Sequence, residues 1–205
     1  MKNANYLLSL LNMGKECKWI LKEPADPAKV ERLSAEVGID RVLAELLVKR
    51  GVETFEQARA FFRPSLDALH DPFLMKDMDV AVERLHRAIA SGEKILVYGD
   101  YDVDGTTAVA LVYSFIRRFT DKVDFYIPDR YDEGYGVSYK SIDWAADGGF
   151  ALLITLDCGI KATDKVEYAR SKDLDVIICD HHLPGESLPA AVAVLDPKRE
   201  DCRYP

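Results

Sequence analysis

Apolar residues recur at helical spacing from Pro27 to about Pro64. Val30, Leu33 and Val37 lie three and four residues apart, and Val42, Leu43, Leu46 and Leu47 repeat the pattern after Asp40. Gly38 and Gly51 punctuate the ends. Thr54, followed by Glu56 and Gln57, predicts the N-cap of a third short helix that stops at Phe62, ahead of Pro64. Residues 64–78 contain Pro64, Pro72 and the run Phe73-Leu-Met, which reads as a linker packed on the domain after it. Asp79 then opens a helix over 80–90, with Val82, Leu85 and Ile89 on one face and Gly92 past its end. His70 and His86 have no second His or Cys close in sequence, so they read as surface or packing residues.

At Lys94 the period changes. Short apolar runs at 94–98, 123–127, 151–156, 175–179 and 192–195 predict strands, and helical patterns at 106–119, 138–146 and 163–171 separate the first four. Continuous apolar strands alternating with helices of this length predict an α/β fold, a parallel sheet with helices on both faces, preceded by a small helical segment. The expected organisation is an extension over 1–26, a helical preamble and linker over 27–78, and the α/β domain over 79–205. The run Tyr6-Leu-Leu-Ser-Leu-Leu11 is too short to span a membrane and lacks a basic flank or a cleavage site, so it reads as part of a soluble extension.

Chemistry concentrates where the predicted strands end. Ile95-Leu-Val-Tyr-Gly breaks into Asp100, Asp102 and Asp104; Leu152-Leu-Ile-Thr-Leu ends in Asp157; Val176-Ile-Ile-Cys ends in Asp180-His181-His182. Parallel strands present their carboxyl ends on one edge, the edge where open α/β sheets bind ligands, so these groups are expected to converge. The carboxylates at 100, 102 and 104 repel one another unless a cation sits between them. Hard oxygen donors mixed with imidazoles suit Mn²⁺ or Mg²⁺ better than a structural zinc, which recruits thiolates. Two such ions about 3.5–4 Å apart activate water and neutralise a phosphoryl oxygen.

Composition narrows the picture further. A chain of 205 residues, 48% hydrophobic and 30% charged, is that of an ordinary globular protein. Its net charge of -8 argues against nucleic-acid binding through bulk positive charge, but not against a nuclease whose ions supply charge locally. Cys17, Cys158, Cys179 and Cys202 show no C-x-x-C spacing, which points to a reduced, cytoplasmic setting rather than a zinc site or disulfide scaffold. Thr106 and Thr107 follow Gly105 at a helix start able to hold an anion, but no Gly-Lys-Ser/Thr follows, which disfavours a nucleoside-triphosphate loop. The tyrosines of 131–139, interleaved with Gly134 and Gly136, read either as base-stacking platforms or as a loop packed by its own rings.

Gly99-Asp-Tyr-Asp-Val-Asp-Gly105, Leu156-Asp-Cys-Gly159 and Cys179-Asp-His-His182 resemble the first three motifs of the DHH phosphoesterases. The tyrosine between the acids and the segment Ile127-Pro-Asp-Arg-Tyr-Asp-Glu-Gly-Tyr-Gly136 resemble the RecJ single-strand exonucleases within that family, and the likeness runs from about Trp19 to Pro205. The resemblance implies a metal-dependent phosphodiesterase that degrades single-stranded DNA from the 5′ end in repair and recombination, with Mn²⁺ or Mg²⁺ in a two-metal site. It implies that Asp102, Asp104, Asp157 and His181 are metal ligands, with Asp157 the bridge. His182 is implied to lie close to the scissile phosphate, and Asp100 and Asp180 to be supporting acids or further ligands. Arg130 is implied to grip a 5′-terminal phosphate, for which a planar guanidinium is suited.

Implied partners are single-stranded DNA with a 5′ phosphate, and a single-strand-binding protein or a helicase, with no membrane. Family members continue into a further acidic motif and a second domain, so the chain reads as an amino-terminal piece, weakly active alone. Asp196, in an Asp-Pro turn, is not read as a replacement for that later acid. Two other readings stay open: a DHH enzyme acting on small nucleotides, oligonucleotides or pyrophosphate, and a non-catalytic scaffold of the same fold.

Overall fold

In a strand, successive side chains point to opposite faces, and the apolar runs from Lys94 onward are apolar at every position because both faces are covered. In the computed structural model, which describes residues 20–205, Ile95, Val97, Leu152, Ile154 and Ile177 pack on one face of a sheet. Leu96, Tyr98, Leu153, Val176 and Ile178 pack on the other. The strands are β1 (Lys94–Gly99), β2 (Val123–Tyr126), β3 (Phe150–Leu156), β4 (Asp175–Cys179) and β5 (Ala193–Leu195), all parallel, in the order β2-β1-β3-β4-β5. The doubly covered parallel sheet expected of the sequence is present.

Among the described residues the first unit contains three α-helices: α1 (Pro27–Val37), α2 (Arg41–Val48) and α3 (Phe55–Phe62). Asp26, Asp40 and Thr54 cap them with side-chain oxygens, Thr54 and Gln57 forming the reciprocal box that the sequence pattern predicts. Their core is Val30, Leu33, Ala44, Leu47, Val48 and Ala58. Here the periodicity misleads. Of Val42, Leu43, Leu46 and Leu47 only Leu47 is buried, since α2 turns Ala44, Leu47 and Val48 inward. The described chain divides into two compact units between Leu69 and His70, earlier than the expected limit at residue 78.

In the second unit α4 (Met78–Ser91) and α5 (Val103–Ile116) serve one face of the sheet, and α6 (Tyr139–Asp147) and α7 (Thr163–Ser171) the other. The expected linker contains two single 3-10 turns, Leu66–Ala68 and Pro72–Leu74. Arg84, 4% exposed, anchors α4 to the amino ends of the strands through Asp175 at 2.5 Å, Glu93 at 2.7 Å and the Ala151 carbonyl at 3.2 Å. Residues 1–19, with the expected apolar run at 6–11 and Cys17, lie outside the described residues; residues 20–26 precede the first helix. No helix among the described residues is long and apolar enough to cross a membrane.

Candidate metal centre

The strand register sets the site. Gly99, Leu156, Cys179 and Leu195 share one row across β1, β3, β4 and β5, and the next residue on each strand is an aspartate: Asp100, Asp157, Asp180 and Asp196. The ladder runs one residue further, the Asp157 N–H donating to the Cys179 carbonyl at 2.9 Å and the Asp180 N–H to the Leu195 carbonyl at 3.0 Å. Two of the acids are thereby tied to the sheet by their own backbone.

On β1 the chain leaves the strand and enters α5 at once. The helix starts at Val103, three residues before the expected Thr106, so Asp102 is its N-cap, accepting from the Gly105 N–H at 2.9 Å, and Asp104 lies in its first turn. The turn is tight enough to exclude other residues at both glycines. A Cβ on Gly105 would collide with the Asp100 carbonyl oxygen, and one on Gly99 with Val109 Cγ2. Asp100, 1% exposed, points down and accepts from the Gly136 N–H at 3.5 Å.

Asp157, Asp180, His181 and His182 each offer a ligand atom within 4.8 Å of the others. Asp157 adopts φ 60, a left-handed conformation that is uncommon outside glycine and clusters at functional sites. Its Oδ1 is buried and has no hydrogen-bond partner, although His181 Nδ1 lies 3.2 Å away. Burial raises the Asp157 pKa, and the charge of Asp102 raises it further, against the opposing pull of His181 and His182. Asp102 and Asp104 therefore face this group electrically while lying outside its 4.8 Å cluster.

Asp180 is occupied differently. Its Oδ2 accepts from the Ile160 N–H at 3.0 Å, and its Oδ1 from the N–H groups of His181 and His182 at 2.7 and 3.1 Å and from His182 Nδ1 at 2.7 Å. Burial would raise its pKa, but these bonds, led by that of Ile160, hold it below the ordinary value. A carboxylate only accepts, so His182 Nδ1 carries the proton and Nε2 is left to face outward. Asp180 orients a histidine; its Oδ1 accepts three bonds and its Oδ2 one, so Oδ2 alone has a lone pair left over.

A divalent cation fits the remaining donors. A buried carboxylate oxygen without a donor is costly. Adjacent ligands of an octahedral ion at about 2.1 Å stand roughly 3 Å apart, close to the Asp157–His181 spacing. Carboxylate with imidazole suits Mn²⁺ or Mg²⁺. Cys158, Cys179 and Cys202 are free, and burial pushes the Cys158 and Cys179 thiols up, away from the thiolate a metal would need.

Two residues hold places that the sequence reading did not give them. Asp196 is fully buried with Oδ2 unpartnered, not simply a turn residue. Tyr135 places its hydroxyl 3.3 Å from the Asp157 carbonyl and 3.4 Å from His182 Nε2, between Gly134 and Gly136, both at φ 78. From sequence Tyr135, with its flanking glycines, reads as a base-stacking platform or a loop residue, without a contact to Asp157 or His182. Tyr98 and Asp100 grip Gly136 from below, the Tyr98 hydroxyl donating to its carbonyl at 2.7 Å and the Asp100 carboxylate accepting from its N–H. Arg130, exposed, stacks its guanidinium on the Tyr101 ring at 5.1 Å, which ties it to the first acidic motif.

The model of the DHH family, N-terminal domain, matches residues 94–203, more than half of the chain and the whole of the sheet. The chain belongs to the DHH family. Among DHH proteins it is 42% identical over 193 residues to the single-stranded-DNA-specific exonuclease RecJ of Bacillus subtilis, covering 94% of this chain and 24% of that protein. To the RecJ of Escherichia coli it is 36% identical over 165 residues, covering 80% and 28%. The chain thus spans about a quarter of the length of these relatives. A crystal structure of exonuclease RecJ bound to manganese superposes with a TM-score of 0.60 at 30% identity, over 65% of this chain and 34% of that one. RecJ of Thermus thermophilus, in complex with Mn²⁺, shares the fold at 24% identity, with a TM-score of 0.64 over 88% of this chain and 25% of that one.

Proposed function

We propose that this DHH chain carries the metal-binding catalytic edge of a cytoplasmic hydrolase that removes nucleotides from the 5′ end of single-stranded DNA. The observation that supports it most is the meeting of Asp157, Asp180, His181 and His182 within 4.8 Å, with a buried Asp157 oxygen that has no hydrogen-bond partner and that a cation would satisfy. In this reading Asp157 and His181, with Asp102 and Asp104 nearby, would hold the divalent ions. Bound Mn²⁺ or Mg²⁺ supplies Lewis acidity toward the phosphoryl oxygens and lowers the pKa of water at the site.

The protein's own groups do the rest. Asp180 fixes the His182 ring through Nδ1, so that Nε2 faces the scissile phosphate; when the ring takes up a second proton on Nε2, that proton passes to the departing 3′ oxygen and Nδ1 keeps its own. Arg130 binds the terminal 5′ phosphate through two parallel N–H bonds, its guanidinium held flat by Tyr101. Asp100 supports the loop that carries Tyr135 and does not bind metal. The direct test offers 5′-phosphorylated single strands with Mn²⁺ and follows mononucleotide release. Release that requires Asp157 and spares duplex supports the reading; an inert result together with rapid hydrolysis of pyrophosphate or a cyclic dinucleotide overturns it.

A further inference from the structure

Strand β5, only three residues long, ends the sheet, and among the described residues it pairs with β4 alone. In a strand the N–H and C=O of one residue point to one side, and those of its neighbours to the other. Leu195 turns its carbonyl to β4, where the Asp180 N–H meets it at 3.0 Å, so the N–H and C=O of Val194 face the open edge. Such edge groups ordinarily meet water or another chain. Two side chains take them instead. Asp77 Oδ2 accepts from the Val194 N–H at 3.2 Å, while Arg199 Nη1 donates at 2.6 Å both to the Val194 carbonyl and to Asp77 Oδ2. The ion pair stands where a sixth strand would bond.

Both residues are committed to this arrangement. Arg199 is 8% exposed, and Asp201 grips its remaining donors as a fork, Nε to Oδ1 at 2.9 Å and Nη2 to Oδ2 at 2.8 Å. The turn after β5 folds Arg199 back, its N–H donating to the Asp196 carbonyl at 3.3 Å. Asp77 stands at the N-cap of α4, where an aspartate ordinarily accepts from the first turn, yet its side chain makes no such bond and its backbone is left-handed at φ 66. A residue that gives up its cap in a strained conformation persists only where its surroundings hold it. For Asp77 those surroundings are Val194 and Arg199.

The clamp reaches the candidate site through one carbonyl. Leu195 seats the Asp180 N–H, and Asp180 Oδ1 in turn holds His182 Nδ1 at 2.7 Å. A three-residue strand has few other ladder bonds to keep that carbonyl in place. We propose that Asp77 and Arg199 are positioning residues for His182: they clamp Val194, and with it the Leu195 carbonyl on which Asp180 is seated. Its catalytic consequence rests on the reading of His182 as the proton donor to the departing oxygen, whereas the clamp itself does not.

Amide hydrogen exchange, the His182 ring proton in NMR spectra and strand hydrolysis are compared in the protein and in Asp77→Gly, Arg199→Met and Arg199→Lys. Glycine suits the left-handed position, so Asp77→Gly removes the carboxylate and keeps the backbone. In Asp77→Gly and Arg199→Met the Val194 and Asp180 amides are expected to exchange about tenfold faster, the scale of one lost hydrogen bond, with those of Leu96 and Leu153 in β1 and β3 unchanged. The His182 Nδ1 proton signal broadens into exchange with water, and kcat falls about 10- to 100-fold while KM and the Mn²⁺ titration stay unchanged. Arg199→Lys, which keeps a cation for Asp77 and the Val194 carbonyl, recovers most of both. Exchange that quickens equally in β1, β3 and β5 marks a pair that only stabilises the fold and overturns the proposal, as does a His182 signal indifferent to both substitutions. Absence of strand hydrolysis in the unsubstituted protein instead overturns the exonuclease reading, and the amide exchange and His182 signal still decide the clamp.

Discussion

Asp180→Asn changes almost no volume and removes a charge from the most heavily hydrogen-bonded carboxylate of the edge. Four donors converge on it: the Ile160 N–H on Oδ2, and the His181 N–H, His182 N–H and His182 Nδ1 on Oδ1. An amide offers only one oxygen. With that oxygen turned to the histidines, its NH₂ faces the Ile160 N–H, a buried donor left unpaired at a cost of about 1–3 kcal/mol. The three remaining bonds lose their charge assistance, about 1 kcal/mol each at most. The substitution is therefore expected to cost about 3–5 kcal/mol, a large share of the roughly 5–15 kcal/mol that holds a domain together. The sign of the pH dependence is fixed as well. A folded-state pKa lower than the unfolded value of about 3.9 means that the carboxylate contributes fully above that pH, and the contribution fades as pH falls through the folded-state pKa. Urea unfolding at pH 7 and at steps below pH 4 should show a gap between the two proteins that narrows on acidification. A variant within 1 kcal/mol of the parent at pH 7, or a gap that widens in acid, would refute the account.

Other outcomes follow from neighbouring residues. Asp157→Asn should raise the metal-free melting temperature, equivalent to about 0.5–2 kcal/mol, while abolishing Mn²⁺ binding by calorimetry. The carboxylate's raised pKa marks a group that costs stability once pH exceeds that pKa, and asparagine tolerates the left-handed backbone. Gly105→Ala should lower stability by about 3 kcal/mol or more in urea unfolding, because the added methyl meets backbone atoms of Asp100 that cannot swing aside. Asp180→Asn should lower strand hydrolysis about 10- to 100-fold, as outer partners of ligating or reacting histidines do, beyond any fraction unfolded in the assay. Arg130→Lys should keep Mn²⁺ binding intact yet lose most preference for a 5′-phosphorylated over a 5′-hydroxyl strand, read as the ratio of kcat/KM values.

Much of this architecture is legible from residue order. Runs apolar at every position announce strands covered on both faces, and an aspartate directly after three of them announces a shared edge. The expected start of α5 was late because Val103, 74% exposed, looks like part of the preceding apolar pattern when it is the first residue of the helix that Asp102 caps. Asp196 escaped because Asp-Pro is ordinary turn chemistry; only pairing of β5 with β4 reveals that its carboxyl is inside. The α2 pattern failed for a different reason. Small Ala44 carries little weight in a hydrophobic pattern, yet it is the residue that lets α2 approach its neighbours, so the buried face is rotated from the one the larger residues mark. Tyr135 depends on three-dimensional support from Tyr98 and Asp100, which spacing cannot express.

The row of aspartates has an evolutionary consequence. Because each acid stands one position past the same register line, what must be preserved along β1, β3 and β4 is the count of residues from the paired row to the acid, not the identity of the apolar residues in between. Exchange of Leu, Ile and Val within these strands leaves the acids in place. A single inserted or deleted residue that shifts pairing by one reverses the side-chain faces and sends a carboxylate to the wrong side of the sheet. The edge should therefore drift freely by substitution and hardly at all by insertion, with length changes confined to the loops beyond the acids.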